Sequence, residues 1–312
     1  MSDQNMPAYA RVFTSNLSLN LRHNPVAFIS LAIFLLLFLL ALFAPLIAPY
    51  NPFDTTQIDI LDSELPPFWA EQSDPSFLFG TDGQGRDMWS IMLYGLRLSL
   101  MIGIGAVVVQ TLLGVSIGLI SGYVGGRLDS LLMRLADIQL SFSTLMVAIV
   151  FLAVTQVVGG RAFFAQYAPV LLITIIGLAE WPQYARTVRA TVLAEKQKEY
   201  VDAARIMGFG PLRIMVRHIL PNSLSSIFVI STIQIANAII AEASLSFLGL
   251  GMPIAYPSLG SLISSGFDYL FSGSWWITTL PAALLVVLIL VVNLLGDWLR
   301  DTIGPRILQG AR

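Results

Sequence analysis

The chain has 312 residues, of which 56% are hydrophobic and only 12% charged, against roughly a quarter charged in a soluble domain. That balance is one of an integral membrane protein, and no basic cluster with interleaved aromatics points to nucleic acid. Cysteine is absent, which excludes disulfides and thiolate metal sites, and His23 and His218 are too few and too far apart in sequence for a metal centre.

Residues 1–26 are polar, carry Arg11 and Arg22, and read as a disordered tail. Ala27–Ile47 is 21 uncharged residues, enough to cross a hydrocarbon core. The run is too long for the apolar core of a signal peptide, so it reads as an uncleaved first span. Residues 48–97 hold Pro49, Pro52, Pro66, Pro67 and Pro75, with eight acidic residues and two arginines, and no span fits inside them. Near their end, Gly80-Thr81-Asp82-Gly83-Gln84-Gly85-Arg86-Asp87 reads as a Gly/Asp turn before a helix.

Leu98–Tyr123 is the second span. Gly114, Gly118, Gly122 and Gly126 recur along it as a small-residue stripe that lets another helix approach closely. Gly114-Val115-Ser116-Ile117-Gly118 matches the nucleophile pattern of hydrolases. Ser116 lies in an apolar helix rather than at a strand-to-helix turn, with no histidine expected at its depth, so it is read as non-catalytic.

Arg127 and Asp129 lie in a short connection to the third span, Leu135–Val158, with Asp137 near its start. The fourth is weaker, because Ala168–Ala179 is only 12 apolar residues before Glu180-Trp181-Pro182 and must borrow from Gln183–Val188. Such weakness suits a helix shielded by its neighbours. The fifth, Leu224–Leu250, carries Gln234, Asn237 and Glu242. Gly251–Ser274 has no basic residue and leads to the sixth span, Trp275–Leu295, where Trp275-Trp276 fits an interfacial anchor. Arg300 closes this region, and residues 301–312, with Arg306 and Arg312, form the C-terminal tail.

Between the fourth and fifth spans lies the loop 186–222, whose stretch Glu199–Asn222 is a long polar and charged segment between strongly apolar ones. Tyr200, Ala203, Ala204 and Met207 share a helical face that Glu199, Asp202 and Arg205 avoid. Gly208 can end that helix in the left-handed conformation, and Gly210-Pro211 restarts the chain. Leu212, Met215, Val216 and Ile219 then repeat the pattern. On pattern alone this is equally a pair of helices lying on lipid headgroups or a plug for a partner's groove.

Six spans put both termini on one side, and 14 of the 17 Lys and Arg residues fall there, leaving Arg86, Arg97 and Arg161 on the other. The positive-inside rule therefore predicts cytoplasmic termini and a cytoplasmic 186–222 loop, with residues 48–97 and Gly251–Ser274 outside.

Four further matches turn this reading toward a family. Asp202-Ala203-Ala204, Gly208 and Leu220-Pro221 resemble the cytoplasmic loop of binding-protein-dependent ABC importer permeases, with Asp202 where Glu is usual and His218 where an apolar residue is usual. Gly80-Thr81-Asp82, Gly85-Arg86-Asp87 and Gly95-Leu96-Arg97-Leu98-Ser99-Leu100 resemble the entry signature of the dipeptide, oligopeptide and nickel class. Ala243–Gly251 and Gly296-Asp297-Trp298-Leu299-Arg300-Asp301 are similar to the end of the fifth span and the C-terminal signature of peptide permeases. The resemblance implies an all-α type I ABC importer transmembrane domain over residues 98–300, in a bacterial inner membrane. It also implies docking through Tyr200, Asp202, Ala203, Ala204, Met207, Gly208 and Phe209 onto one of two separate ATPase subunits. A second, related permease and an extracytoplasmic binding protein complete the expected assembly, with membrane lipid around it.

The chain has no Gly-x-x-x-x-Gly-Lys-Ser/Thr loop, so ATP and Mg are expected in the partner ATPases, with no cofactor here and no enzymatic activity of its own. Gln234, Asn237 and Glu242 are candidates for the translocation path. For Glu242 a structural hydrogen-bonding role is the favoured of two readings. The competing function is a gradient-driven secondary transporter using Asp137, Glu180 and Glu242 as intramembrane ion sites. Against it, Asp137 and Glu180 are expected near cytoplasmic ends, where water reaches them.

Overall fold

The structure is a computed structural model that describes Leu21, Thr56 and residues 24–54, 58–71, 73–253 and 255–303. The tail arginines Arg11, Arg22, Arg306 and Arg312 lie outside the described residues. Among those described there is no strand, only an isolated bridge between Thr81 and Asp87.

The first span starts at Asn24, whose side-chain oxygen accepts from the Ala27 N–H at 3.2 Å and caps α1, Pro25–Leu42. Pro45 has no N–H to continue that ladder. The chain breaks at Phe43 and adds the short α2, Ala44–Ile47. α3 runs Met88–Val124, starting well before the expected Leu98, because Asp87 caps it by accepting from Ser90 N–H at 2.8 Å.

The expected third span, Leu135–Val158, straddles a break. α4, Gly126–Leu140, and the helix Thr144–Gly160 meet at 87°. The chain then turns at Gly160, which has φ 79°, and continues into Ala162–Glu195. These two arms form α5, Thr144–Glu195. The fourth span is therefore much longer than its apolar run, and residues 186–195, expected to open the loop, are still helix. After α6, Glu199–Ile206, and α7, Pro211–Ile214, a π-turn at Met215–Ile219 leads into α8, Leu220–Phe247. Pro221 explains that turn: it offers no N–H to the preceding helical turn, so the ladder slips by one residue. α9, Leu259–Gly266, lies within the loop expected to be outside, and α10, Trp276–Ile303, ends the described chain.

Among the described residues, five helices are long and apolar enough to cross a membrane, or six when the bent pair counts as one. Two apolar clusters hold them. One joins α3, α5 and α8 with the α6–α7 loop; the other joins α1, α3, α8, α9 and α10.

The glycine stripe forms the seam between α3 and α5. A Cβ at Gly118 would meet the Ala185 carbonyl oxygen at 2.7 Å and Val188 Cβ at 2.8 Å, and one at Gly122 would meet Val192 Cβ at 2.8 Å. Gly126 does not join the seam: it has φ 65°, with nothing near it, and starts α4. Ser116 points outward and donates to the Leu112 carbonyl at 2.6 Å, an ordinary helix back-bond with no base beside it.

Residues 58–71 and 73–87 fold into a cap over one end of the helices. Thr81 Oγ1 donates to Asp62 O at 2.5 Å and accepts from Leu65 N–H at 2.8 Å. Asp82 accepts from Gln84 and Arg86 N–H, each at 2.9 Å, and from Arg86 Nε at 2.7 Å. Trp276 is 7% exposed and donates its indole N–H to Thr81 O at 3.1 Å, so it fastens this cap rather than anchoring in an interface. Its neighbour Trp275 is exposed.

Replacing Gly118 with Leu forces apart two backbones already in contact. A core insertion of this kind costs about 1–3 kcal/mol or more. The expected result is a several-fold drop in monodisperse protein by size-exclusion chromatography, whereas Ser116→Ala leaves the yield unchanged.

Candidate functional site

The loop between α5 and α8 is a rigid corner. Glu199 and Asp202 occupy the first turn of α6 and Arg205 the last, each favourable to the helix dipole. Asp202 Oδ1 lies 2.9 Å from Arg205 Nη1 in an exposed pair. Gly208 takes φ 80° with open space around it. Its N–H donates to Arg205 O at 2.9 Å and Phe209 N–H donates to Ala204 O at 3.1 Å. That is a Schellman ending, which a left-handed residue at Gly208 makes possible.

The body of the protein grips one side of this corner. Val201 and Ala204 are fully buried. The Tyr200 hydroxyl donates to Glu195 Oε2 at 2.6 Å and accepts from Asn222 Nδ2 at 3.1 Å. Burial first, then the Glu195 carboxylate, push the Tyr200 phenol up to about 12. Lys196 Nζ donates to Tyr123 O at 2.5 Å, and Lys196 and Arg205 lie over the Tyr123 ring at 5.5 and 5.9 Å. Arg213 stacks on Phe209 at 4.2 Å, with the His218 ring 5.8 Å from Phe209.

The expected face Tyr200–Ala203–Ala204–Met207 is thus divided. Tyr200 turns inward onto Glu195 at the end of α5, and Ala204 into the apolar cluster shared with α3, α5 and α8, while Asp202, Ala203 and Met207 remain outside. The second expected face divides likewise, with Ile219 buried, Met215 half-buried, and Leu212 and Val216 exposed. What faces solvent is a ledge of Ile206 (87% exposed), Met207 (63%), Leu212 (71%) and Val216 (52%). Ile206 was missed by sequence reasoning; its signal was three residues' spacing from Ala203, on the side facing away from Val201.

Two buried polar clusters lie between the helices. In one, Glu180 accepts from Thr144 Oγ1 and from Gln183 Nε2 at 2.5 Å, and Gln234 Nε2 approaches both Glu180 and Gln110 at 3.4 Å. Asn237 Nδ2 donates to Gln234 Oε1 at 2.8 Å. Glu180 is only 9% exposed, which corrects the expectation that water reaches it, whereas Asp137 is exposed and ion-paired to Arg186. Gln139, unmarked in the sequence, donates to Leu178 O, the carbonyl orphaned by Pro182, and accepts from Trp181 Nε1 at 2.9 Å.

In the other cluster Glu242 is fully buried, accepting from Ser99 Oγ at 3.1 Å and Ser246 Oγ at 2.7 Å. Ser99 in turn accepts from Leu259 N–H, and Ser246 from Met252 N–H. Glu242 therefore ties α3, α8 and the start of α9 together, and is separate from Gln234 and Asn237, with which it was grouped.

Residues 114–309 match the family model described as binding-protein-dependent transport system inner membrane component, and residues 18–67 match that of the N-terminal TM domain of oligopeptide transport permease C. The chain belongs to this permease family. It is 37% identical over 291 residues to the di/tripeptide transport system permease protein DppC of Pseudomonas aeruginosa (strain UCBPP-PA14), covering 93% of this chain and 91% of that one. It is 36% identical over 289 residues to the oligopeptide transport system permease protein OppC of Bacillus subtilis (strain 168), covering 93% and 88%. The MetNI methionine ABC transporter in inward-facing conformations matches with TM-score 0.55 at 20% identity, covering 69% of this chain and 97% of that one, a likeness of fold. The permease is a multi-pass membrane subunit of an ATP-driven importer rather than a gradient-driven transporter or a catalytic subunit.

Glu242→Gln keeps both serine hydroxyls bonded and should leave the melting temperature of the purified permease within a few degrees. Glu242→Leu leaves buried hydroxyls without an acceptor, a loss of about 1–3 kcal/mol each, and should lower it clearly in a fluorescence thermal-shift assay.

Proposed function

We propose that this permease pairs with a second, related permease and forms half of a path for peptides or similar small substrates. An extracytoplasmic binding protein delivers the cargo, and two ATPase subunits hydrolyse ATP with Mg to drive the cycle. The cargo class rests on relatives named for dipeptide, di/tripeptide and oligopeptide transport.

The observation that carries the docking role is the ledge Ile206–Met207–Leu212–Val216, apolar and exposed on a corner whose other side is locked to α5. An exposed apolar ledge with a charged pair at its edge suits a groove on a partner. In this reading Asp202, Ala203, Met207, Gly208 and Phe209 meet the ATPase or shape what meets it, while Tyr200 and Ala204 hold the loop to the spans. ATP-driven closure of the ATPase dimer draws two such loops together, and the spans open outward. Gln234 and Asn237 belong to the polar cluster between α3, α5 and α8; they are the path residues this reading favours, with Glu242 as a structural tie. The charge count supports cytoplasmic termini and a cytoplasmic ledge.

Gly208→Val strains the corner by about 1–2 kcal/mol and tilts α6 against α7. In nanodiscs the assembled importer should lose most of its substrate-stimulated ATP hydrolysis at normal yield, and Asp202→Ala should lose less. Unchanged stimulation in Gly208→Val would mean that this loop does not couple the two machines. For orientation, a cysteine introduced at Lys198 of this cysteine-free chain should react only from the cytoplasm, and one at Ser73 only from outside. Reaction of both from the same face would overturn the assignment.

A further inference from the structure

Helix α4 carries an arrangement that neither the docking ledge nor the polar clusters use. At 100° per residue its side chains sort into three sectors. Asp129, Ala136 and Gln139 turn toward the protein. Asp129 receives Arg189 Nε and Nη2 at 2.6 Å each as well as Ser121 Oγ, Ala136 is fully buried, and Gln139 holds Trp181. Leu128, Leu131, Leu135 and Ile138 fall within roughly an 80° arc and are 40%, 57%, 50% and 59% exposed. Arg127 and Arg134, one heptad apart, sit along the border of that apolar arc. Both are exposed, and neither forms an ion pair among the described residues.

The next helix fixes what this ridge meets. Thr144–Gly160 leaves α4 at 87°, so if that apolar helix crosses the bilayer, α4 lies along its surface. The exposed apolar ridge also turns the corner, through Phe142 and on to Met146, Val150 and Val154. An amphipathic helix clamped to the protein by one flank, with an apolar ridge and unpaired arginines at its edge, has the form of an interfacial helix. Long basic side chains at such a border reach headgroup phosphates while their stems lie on apolar surface.

We propose that α4 is an in-plane helix that seats its leucine ridge in the cytoplasmic leaflet and holds anionic phospholipid headgroups with Arg127 and Arg134. This rests on the cytoplasmic orientation proposed above, and its test reads membrane depth and lipid preference rather than transport. The pair gives the importer a lipid contact two ion-paired residues away from the docking loop, since Asp129 joins α4 to Arg189 on the arm of α5 that ends there.

The test uses the full chain assembled with its importer subunits in vesicles of phosphatidylcholine and phosphatidylglycerol at three to one. A nitroxide at Leu131→Cys should collide more with oxygen than with a water-soluble nickel chelate, and one at Ser130→Cys should show the reverse. Protection of the Leu131 label from both agents would place a protein partner on the ridge, and preference for nickel would place it in water; either overturns the proposal. Spin-labelled phosphatidylglycerol should associate with the wild-type assembly in preference to spin-labelled phosphatidylcholine. An arginine at an anionic surface contributes about a fivefold preference, so the double variant Arg127→Gln, Arg134→Gln should bring the two lipids close to parity. Both residues are exposed and unpaired, so the variant should elute like wild type. An unchanged preference in a normally eluting variant, or none in the wild type, would also overturn the proposal.

Discussion

Gly114, Gly118 and Gly122 bring the backbone of α3 into contact with that of α5, and the half of the molecule that carries the α5–α8 loop follows from that approach. In lipid there is no hydrophobic gain from bringing two apolar helices together, so close van der Waals contact between small residues carries the association. Once the helices lie this near, Asp129 reaches Arg189, Lys196 reaches the last turn of α3, and Val192 fills the space above Gly122. The end of α5 is then fixed, and with it Glu195, whose carboxylate holds both Lys198 and Tyr200. A loop held so firmly at one flank can transmit a push on its free flank to the spans.

The same solvent explains how the chain treats its own breaks. Hydrocarbon offers no hydrogen bond to an orphaned carbonyl, and two of the interruptions show how the chain compensates. Pro182 frees Leu178 O, and Gln139 takes it. Pro221 disturbs the ladder at the foot of α8, and a π-turn absorbs the slip, with Leu220 N–H donating to Met215 O. The buried carboxylates follow the same rule: among the described residues Glu180 and Glu242 form no ion pair, and each is held by hydroxyl or amide donors, Thr144, Gln183 and Gln234 at Glu180 and Ser99 and Ser246 at Glu242. Glu242 thereby ties α3, α8 and the start of α9 together, as Trp276 and Thr81 fasten the cap beside them.

Much of this was legible in the chain itself. Hydropathy gave six crossings where the described residues show five or six, and the four-residue glycine spacing marked a packing seam. Gly208 and Pro211 marked a corner because only certain residues take a left-handed ending or begin a helix without a donor. The signature segments placed the chain in its family. These are local properties, set by backbone sterics and by the cost of moving a side chain from water to lipid, so a reader of the sequence can see them.

Which face of each helix points where was decided by tertiary structure alone. Periodicity located the apolar residues of α6 and α7 but could not divide them, because Val201 and Ala204 are buried in a cluster built with distant helices, whereas Ile206 and Met207 a turn away stay exposed. The third span could not be placed from its apolar run, since Leu135 and Ile138 are as apolar as Val150 and only the 87° turn separates them. Gln139 carried no mark in sequence, for its partners come from a distant segment, and the signature that holds Ser99 did not show that it meets Glu242. Glu180, read as wetted from its place near a helix end, is dry because Thr144, Gln183 and Gln234 close around it. The sequence determined which residues can live in the bilayer and where the backbone must bend; long-range contact determined which of them meet, because a side chain's neighbour three helices away leaves no local trace.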